Sequence, residues 1–432
     1  MKKLFSLILS WILLILAVVL SIAGALVGFL GAAILFDHTI LLCIAALLVC
    51  LSISTGLAWI AGKKIAPSCR GRFALGIGVG TCVLVILISS ITIFKSLVPS
   101  SEISTPPVPP QIRFWDLPTG SRIAYLKIPA ADNTQTEPII FVHGGPGASI
   151  VTVKPVTDYF SSLVEEGYDV YFYDQIGGGL SGRLANIREY TLSRHVADLE
   201  GIRQQIGAEK IILIGESWGG ELATHYVAGY PENVKKLILV SPGELYPQEW
   251  GDTDPCDLKG RASEEKLQEF NSLLGPRILM AYLLLEINPD AAYNFLRDPE
   301  ADRFASNALS LLIEGIVCNP ENLPEDIHFD FGAWATIMMD ENTEVTDTKL
   351  DELLKSNKMP VLILKGECDY CLWEVTYQYK TLFPNSTLLY VEKAGHIIYL
   401  EKPGLFMNAV RSFLLDEPLP LPAYTESSPP KK

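Results

Sequence analysis

The chain has 432 residues and a formal net charge of −15, from 34 Lys and Arg against 49 Asp and Glu. An acidic chain has little with which to neutralise phosphates, which excludes a nucleic-acid partner, and its sign opposes adhesion to an anionic membrane surface. The charge is also unevenly placed. Residues 4–94 are almost uncharged and dense in Leu, Ile, Val, Ala and Gly, so nearly all the acidic residues lie beyond them. The length suits one large domain or two ordinary ones.

Three apolar stretches open the chain, Leu4–Phe36, Thr39–Ala61 and Phe73–Phe94. A helix needs about 20 apolar residues to cross a bilayer, so the pattern predicts three transmembrane helices over residues 4–94. The breaks are Asp37-His38 and the basic run from Lys63-Lys64 to Arg70-Gly71-Arg72. Positive charge in short loops marks the cytoplasmic side. Three crossings put Lys2, Lys3, Lys63, Lys64, Arg70 and Arg72 together inside, and everything after Phe94 outside. A cleaved signal peptide fits less well, because the first apolar run exceeds a 7–15-residue h-region. A channel or transporter would need charged groups within the spans, and these carry none. The segments therefore read as an anchor with the lipid bilayer as partner.

Residues 95–110, with Pro99, Pro106, Pro107, Pro109 and Pro110, are expected to form an extended spacer. From residue 111 apolar strands alternate with amphipathic helices, the mark of α/β architecture. Gln111–Leu117 and Ser121–Ile128 predict a hairpin around Pro118-Thr119-Gly120. Pro138–Val142, Val170–Tyr173, Lys210–Ile214 and Lys236–Val240 follow as buried strands, with helices at Val156–Glu166, Leu192–Ile206 and Gly219–Tyr230 between them. The alternation stops after residue 242. Residues 243–358 carry helical patterns, a cap inserted between a first core part (111–242) and a second (359–416). The second part holds strands at Pro360–Leu364 and Thr387–Val391 and a helix near Gly404–Leu415. The tail 417–432, with five prolines, is expected to be disordered. Cys256, Cys318, Cys368 and Cys371 face an oxidising side in this topology. Cys256 with Cys318 is the expected pair, four free thiols the alternative.

Gly215-Glu216-Ser217-Trp218-Gly219 is a G-x-S-x-G between a strand and a helix, the setting of a nucleophile elbow that projects the Ser hydroxyl from the sheet. His143-Gly144-Gly145-Pro146-Gly147 closes an earlier strand. Acyl transfer needs N–H donors aimed at the developing oxyanion. Trp218 supplies one and Gly144 or Gly145 the other. A Ser hydroxyl also needs a His base held by an acid, in the chain order Ser, acid, His. Asp369 follows the strand Val361–Leu364, with Glu367 as its rival, and His396 follows the last strand. The predicted catalytic set is Ser217, Asp369 and His396, with no cofactor and no metal. Cys368-Asp369-Tyr370-Cys371 has no second half for zinc, although a tight disulfide across it would brace the acid loop. His38, His195, His225 and His328 are expected to play no part in catalysis.

These motifs, together with Tyr173-Asp174-Gln175-Ile176-Gly177-Gly178-Gly179-Leu180-Ser181, resemble the prolyl aminopeptidase (proline iminopeptidase) branch of the α/β hydrolases. The resemblance covers roughly residues 111–416 and implies an α/β-hydrolase fold with a mainly helical cap, preceded here by the transmembrane helices. It implies release of N-terminal residues, often proline, from short peptides or small amides. The chain departs from the branch at Ile176, where Arg is usual, and at Glu216, where Gly is usual. Cap carboxylates bind the substrate amine in that branch; Glu286 and Glu314 are the candidates here, although a solvated helix face accounts for each, and Glu216 could touch the site instead. A carboxylic ester or lactone hydrolase with the same triad is the alternative function, and a non-catalytic membrane-anchored binding protein is the alternative of another class.

Overall fold

A computed structural model of the chain describes residues 2–97, 108–132, 134–251, 253–324, 327–341 and 348–430. Most of the spacer expected at 95–110 lies outside the described residues. The chain divides into two compact units, one of Met1–Ile103 with Ser272–Glu300, the other of Ser104–Asn271 with Ala301–Lys432.

The first unit holds α1 (Lys2–Ala33), α2 (Thr39–Ile65) and α3 (Arg70–Ile91), three helices long and apolar enough to cross a membrane. At 1.5 Å per residue the shortest, of 22 residues, is about 33 Å long, enough for a hydrocarbon layer of about 30 Å. Small residues let the helices approach. A Cβ on Gly28 of α1 would lie 3.2 Å from the Ala45 carbonyl oxygen of α2, so an Ala there would push the two backbones apart. Ser21 and Ser54 donate their hydroxyls to carbonyls four residues back, which satisfies them without water.

The second unit is built on an eight-stranded sheet, ordered β1-β2-β4-β3-β5-β6-β7-β8. The strands are β1 (Arg113–Asp116), β2 (Arg122–Ile128), β3 (Ile139–Val142), β4 (Val170–Tyr173), β5 (Ile211–Glu216), β6 (Val234–Val240), β7 (Val361–Gly366) and β8 (Ser386–Val391). β2 is antiparallel to β1 and β4, and the remaining pairs are parallel. Every residue of β3, β4, β5 and β7 is buried, because helices cover both faces and leave no polar side to alternate. The covering helices are α4 (Lys154–Phe160), α5 (Leu192–Ile206) and α6 (Trp218–Gly229), then α13 (Trp373–Leu382), α14 (Ile398–Glu401) and α15 (Pro403–Leu414). Thr191 caps α5 by accepting from the Arg194 N–H, and Gly207 ends it at φ 77°.

Between β6 and β7 lie α7 (Glu264–Leu273), α8 (Pro276–Ile287), α9 (Pro289–Phe295), α10 (Asp298–Ser310), α11 (Ala333–Glu341) and α12 (Thr348–Ser356). The insertion expected as one cap is thus shared between the two compact units, since α8 and α9 fall in the first.

Two expectations need correction. The tail lacks helix and strand through residue 430 but is docked rather than disordered. The Tyr424 N–H donates to the Leu388 oxygen (2.7 Å), the Trp373 indole donates to the Ser427 oxygen (2.8 Å), and Leu419 and Leu421 pack on the core. Aromatic and apolar side chains among the prolines supply the burial that composition alone hides. The cysteines also pair otherwise than expected. Cys256 joins Cys371, and Cys318 joins Cys368, so neither the Cys256–Cys318 bond nor a Cys368–Cys371 bond forms. Spacing cannot fix connectivity among four cysteines, because three arrangements are open.

Candidate active site

The C-terminal ends of β3, β5, β7 and β8 carry the residues singled out from sequence. Ser217 follows β5 at φ 54°, a left-handed value that a side chain adopts only under strain. The turn is possible because Gly219 passes against β3, where a Cβ would lie 2.0 Å from the Val142 oxygen. Ser217 is followed at once by α6, whose first residue is Trp218, in the turn where backbone N–H groups lack helical partners. Gly144 faces Ser217 so closely that a Cβ would lie 2.7 Å from the Ser217 Cβ. These backbone positions suit donors aimed at a carbonyl oxygen above Ser217.

Asp369 and His396 meet. Their side chains are 0 % and 4 % exposed, with Asp369 Oδ1 2.6 Å from His396 Nδ1. Asp369 has two further partners. Lys365 Nζ donates to Oδ2 at 2.6 Å and the Cys371 N–H to Oδ1 at 3.1 Å. Burial alone would raise the Asp369 carboxyl, but His396 and Lys365 beside it hold it well below the usual carboxylate range. Glu367, the rival acid, points elsewhere and accepts from the Lys393 N–H at 2.9 Å.

Ser217 and His396 line one cavity of about 360 Å³ with Gly144, Gly145, Glu216 and Tyr370. Tyr370 packs against the His396 ring at an interplanar angle of 36°, centroids 4.3 Å apart. His396 Nε2 is buried with no hydrogen-bond partner among the described residues. Sequence reasoning missed Tyr370 and Lys365, because nothing in a one-dimensional pattern shows which neighbours of an acid turn toward it.

The Tyr173–Ser181 motif is a brace rather than part of the cavity. Asp174 accepts from the N–H groups of Ile150, Val151 and Leu180 (2.7, 3.1 and 2.8 Å). Burial pushes its carboxyl up to about 6 against those bonds. Gln175 donates its side-chain amide to the His143 oxygen at 2.8 Å, fixing the loop that carries Gly144. Ile176 is 2 % exposed, an apolar packing residue here. His195 is buried edge-on to Trp218, while His328 lines the cavity and lies 3.3 Å from Asp330. Glu286 and Glu314 are both exposed and neither lines the cavity, so the carboxylate at the site is Glu216.

Glu216 is buried beside the nucleophile position, with Tyr399 donating to its Oε2 at 3.2 Å. Burial pushes its carboxyl from 4.5 up to about 7, with His396 and Tyr399 acting in the opposite direction. Between these two values the unfolded chain binds fewer protons than the folded one, so Glu216 lowers stability as pH rises through that window. Glu216→Gln is therefore expected to raise Tm at about pH 8, by at most about 3 kcal/mol of stability, and to change little at about pH 4. Thermal unfolding at both pH values checks this; an equal shift at each would contradict it.

The two disulfides fasten both ends of the Cys368–Cys371 loop to the inserted segment, closing loops of 115 and 50 residues. Glu401 adds to the brace by accepting from the Gly395 N–H beside His396 and from the N–H groups of Cys318 and Asn319. Removing Cys256–Cys371 through the double change to Ser is expected to cost about 2–5 kcal/mol. Unfolding in denaturant without reductant would show it as a lower midpoint, and an unchanged midpoint would contradict it. Asp369, Cys371 and His396 lie close enough to suggest a metal cluster. The Cys371 sulfur is engaged in its disulfide, so the thiolate such a site would need does not form.

A mostly parallel sheet with a strained Ser after its fifth strand, and an acid and a His after its last two, is the frame of an α/β hydrolase, and the model of that fold matches residues 137–271. A proline iminopeptidase of Lactobacillus delbrueckii subsp. bulgaricus is 38% identical over 318 residues, covering 70% of this chain and 97% of the relative. One from Heyndrickxia coagulans is 25% identical over 311 residues, covering 68% of this chain and 96% of its own. The crystal structure of a proline iminopeptidase from Mycobacterium smegmatis aligns at a TM-score of 0.46 and 21% identity, over 71% of this chain and 98% of that one. The chain belongs to the proline iminopeptidase-like branch of the α/β hydrolases.

Proposed function

We propose that the protein is a membrane-anchored serine hydrolase, an aminopeptidase or amidase of prolyl aminopeptidase type acting on short peptides or aminoacyl amides. The observation that carries the reading is the buried 2.6 Å contact between His396 and Asp369 beside a cavity that Ser217 also lines. In this reading Ser217 Oγ attacks the substrate carbonyl and His396 Nε2 takes its proton, then returns it to the leaving amine. Asp369 holds the imidazole and stabilises its charged form, while Lys365 keeps Asp369 ionised. The N–H groups of Trp218 and of Gly144 or Gly145 receive the oxyanion. Water then hydrolyses the acyl-enzyme by the same proton path. Among the described residues His396 Nε2 has no hydrogen-bond partner, so the Ser217 hydroxyl must close on it when substrate binds.

The cavity wall is largely apolar, with Ile150, Leu309, Ile313 and Phe331 among its residues, and Glu216 is its carboxylate. An apolar N-terminal residue such as proline suits that wall, with Glu216 facing the free amine. The same wall favours a second reading, hydrolysis of esters or lactones with apolar acyl groups, in which no amine is recognised.

The basic loop Lys63–Arg72 between α2 and α3 supports a cytoplasmic placement for that loop and for the N-terminus. The hydrolase domain is then extracytoplasmic. The cysteines agree. All four in the globular part are paired, whereas Cys43, Cys50, Cys69 and Cys82, in the helices and the basic loop, are free.

Turnover of proline 7-amido-4-methylcoumarin, other aminoacyl amides, short-chain nitrophenyl esters and lactones by the full-length protein tests the proposal. The aminopeptidase reading expects aminoacyl amides to be cleaved and their N-acetylated forms to be refused. Ester or lactone hydrolysis without amide cleavage would favour the second reading, and no turnover of any of them would reject both.

A further inference from the structure

Helix α8 is an unusual part of a hydrolase cap. It reads PRILMAYLLLEI and belongs to the same compact unit as the three apolar helices. Its inner residues Ile278, Met280, Ala281, Leu284 and Leu285 are buried. Its outer face is apolar too, with Leu279 52 % exposed, Tyr282 48 %, Leu283 47 % and Ile287 39 %. Beyond residue 100 the exposed large apolar residues among those described are these four with Val108, Leu353 and Leu372, so more than half come from this one helix. Leu279, Leu283 and Ile287 are spaced by four and form a stripe. A helix apolar all round is a buried helix, and a surface one in water carries charge on its outer side. Here only Glu286 interrupts that side.

The position of α8 identifies what covers it. Asn288, at its C-terminal end, donates to the Ala33 oxygen at the end of α1 (2.9 Å). Thr39, the first residue of α2, donates to the Asn294 oxygen in α9 (3.2 Å). Arg277, in the first turn of α8, donates to the Ile93 oxygen just beyond α3 (3.1 Å) and pairs with Glu300. Phe29, Phe94 and Phe295 meet edge-on, with centroids 5.7–6.4 Å apart. Three crossings put the end of α1, the start of α2 and the end of α3 at one membrane face, and every one of these ties is to that face. Met280 moreover lines an apolar cavity of about 640 Å³ whose other walls are α1, α2 and the α3 end. At 12 residues α8 is about 18 Å long and cannot span alone. The helix before it meets it at a bend of 72° and carries Glu264, Glu265, Lys266 and Glu269, which argues against a fourth crossing by the pair.

We propose that α8 is a membrane-interface element of the cap, with Leu279, Tyr282, Leu283 and Ile287 immersed at the acyl–headgroup boundary of a phospholipid bilayer. This rests on the anchor reading and goes beyond it, since it places part of the hydrolase insertion itself in lipid. An interfacial helix buries its apolar side about 5–10 Å into that boundary. Tyr282 fits there, with an apolar ring and a polar end.

The test is photolabelling of the full-length protein in phosphatidylcholine nanodiscs containing a phosphatidylcholine with a diazirine in its acyl chain. Adducts are mapped by peptide mass spectrometry. The proposal expects adducts in α1–α3 and in the peptide holding residues 277–287. The α8 adducts should exceed those on the α12 peptide, which carries exposed Leu353, by at least about tenfold. Leu283→Glu should cut the α8 adducts several-fold and leave those of α1–α3 unchanged. Labelling of α1–α3 with none in α8 would overturn this proposal and leave the anchor standing, whether water or a second copy of the chain covers the stripe. Labelling in neither would remove the anchor and the proposal together.

Discussion

Ser217→Ala is expected to lower kcat by about four to six orders of magnitude while leaving substrate binding nearly unchanged. The effect is large because in the proposed mechanism the three groups work as one unit. Without the hydroxyl there is no acyl-enzyme, and His396 has no proton to move. What survives is the contribution of the backbone donors and of binding, about 10³–10⁴ over water. The methyl group of Ala fits, because the site is defined by backbone: the strained turn at φ 54° and the close face of Gly144 remain. Folding should therefore be intact, and circular dichroism with a binding measurement on a slow substrate or inhibitor separates chemistry from unfolding. Activity within about tenfold of the parent would contradict the assignment.

Asp369→Asn is expected to lower kcat by about 10⁴-fold. Asp369 accepts from three donors, His396 Nδ1, Lys365 Nζ and the Cys371 N–H. An Asn side chain has one acceptor oxygen and a donor amide. If its oxygen stays toward His396, its NH₂ faces the Lys365 ammonium. If it flips, Nδ1 must become the acceptor and the imidazole takes the tautomer that cannot accept a proton from Ser217. Either outcome also leaves buried Lys365 with a weakened partner, so some stability is lost as well. Glu367→Gln is the control. Its contact is the Lys393 N–H, which a Gln oxygen accepts equally well, and its kcat should stay within about threefold of the parent. Steady-state kinetics of the pair decides which carboxylate is the acid, and a larger loss at Glu367 would reverse the choice.

The parts of the molecule that follow from local pattern were legible in the residues. Apolar runs with turn signals gave the strands, and the loops after β3, β5, β7 and β8 put Gly144, Ser217, Asp369 and His396 at one sheet edge, which follows from parallel strands sharing a direction. What depends on contacts distant in sequence was not legible. Lys365 sits one turn of chain from Asp369, but nothing in a strand-end Lys says that its ammonium turns inward. Cys256–Cys371 spans 115 residues, and its choice over Cys318 is made by the fold. The tail read as disordered because prolines dominate it, while Tyr424 and Trp373, which dock it, are 51 positions apart in a chain whose contacts composition cannot count. The insertion after β6 read as one cap for a similar reason: the apolar character of α8 was visible, but not the three apolar N-terminal helices it joins.

In the proposed mechanism Ser217 is the nucleophile that His396 serves. Treating the full-length protein in detergent or nanodiscs with a fluorophosphonate and mapping the adduct by peptide mass spectrometry tests this directly. The modification is expected on Ser217 alone, with loss of hydrolysis in step with labelling and no reaction in His396→Ala. An adduct on another residue, or hydrolysis that continues after Ser217 is fully modified, would contradict it.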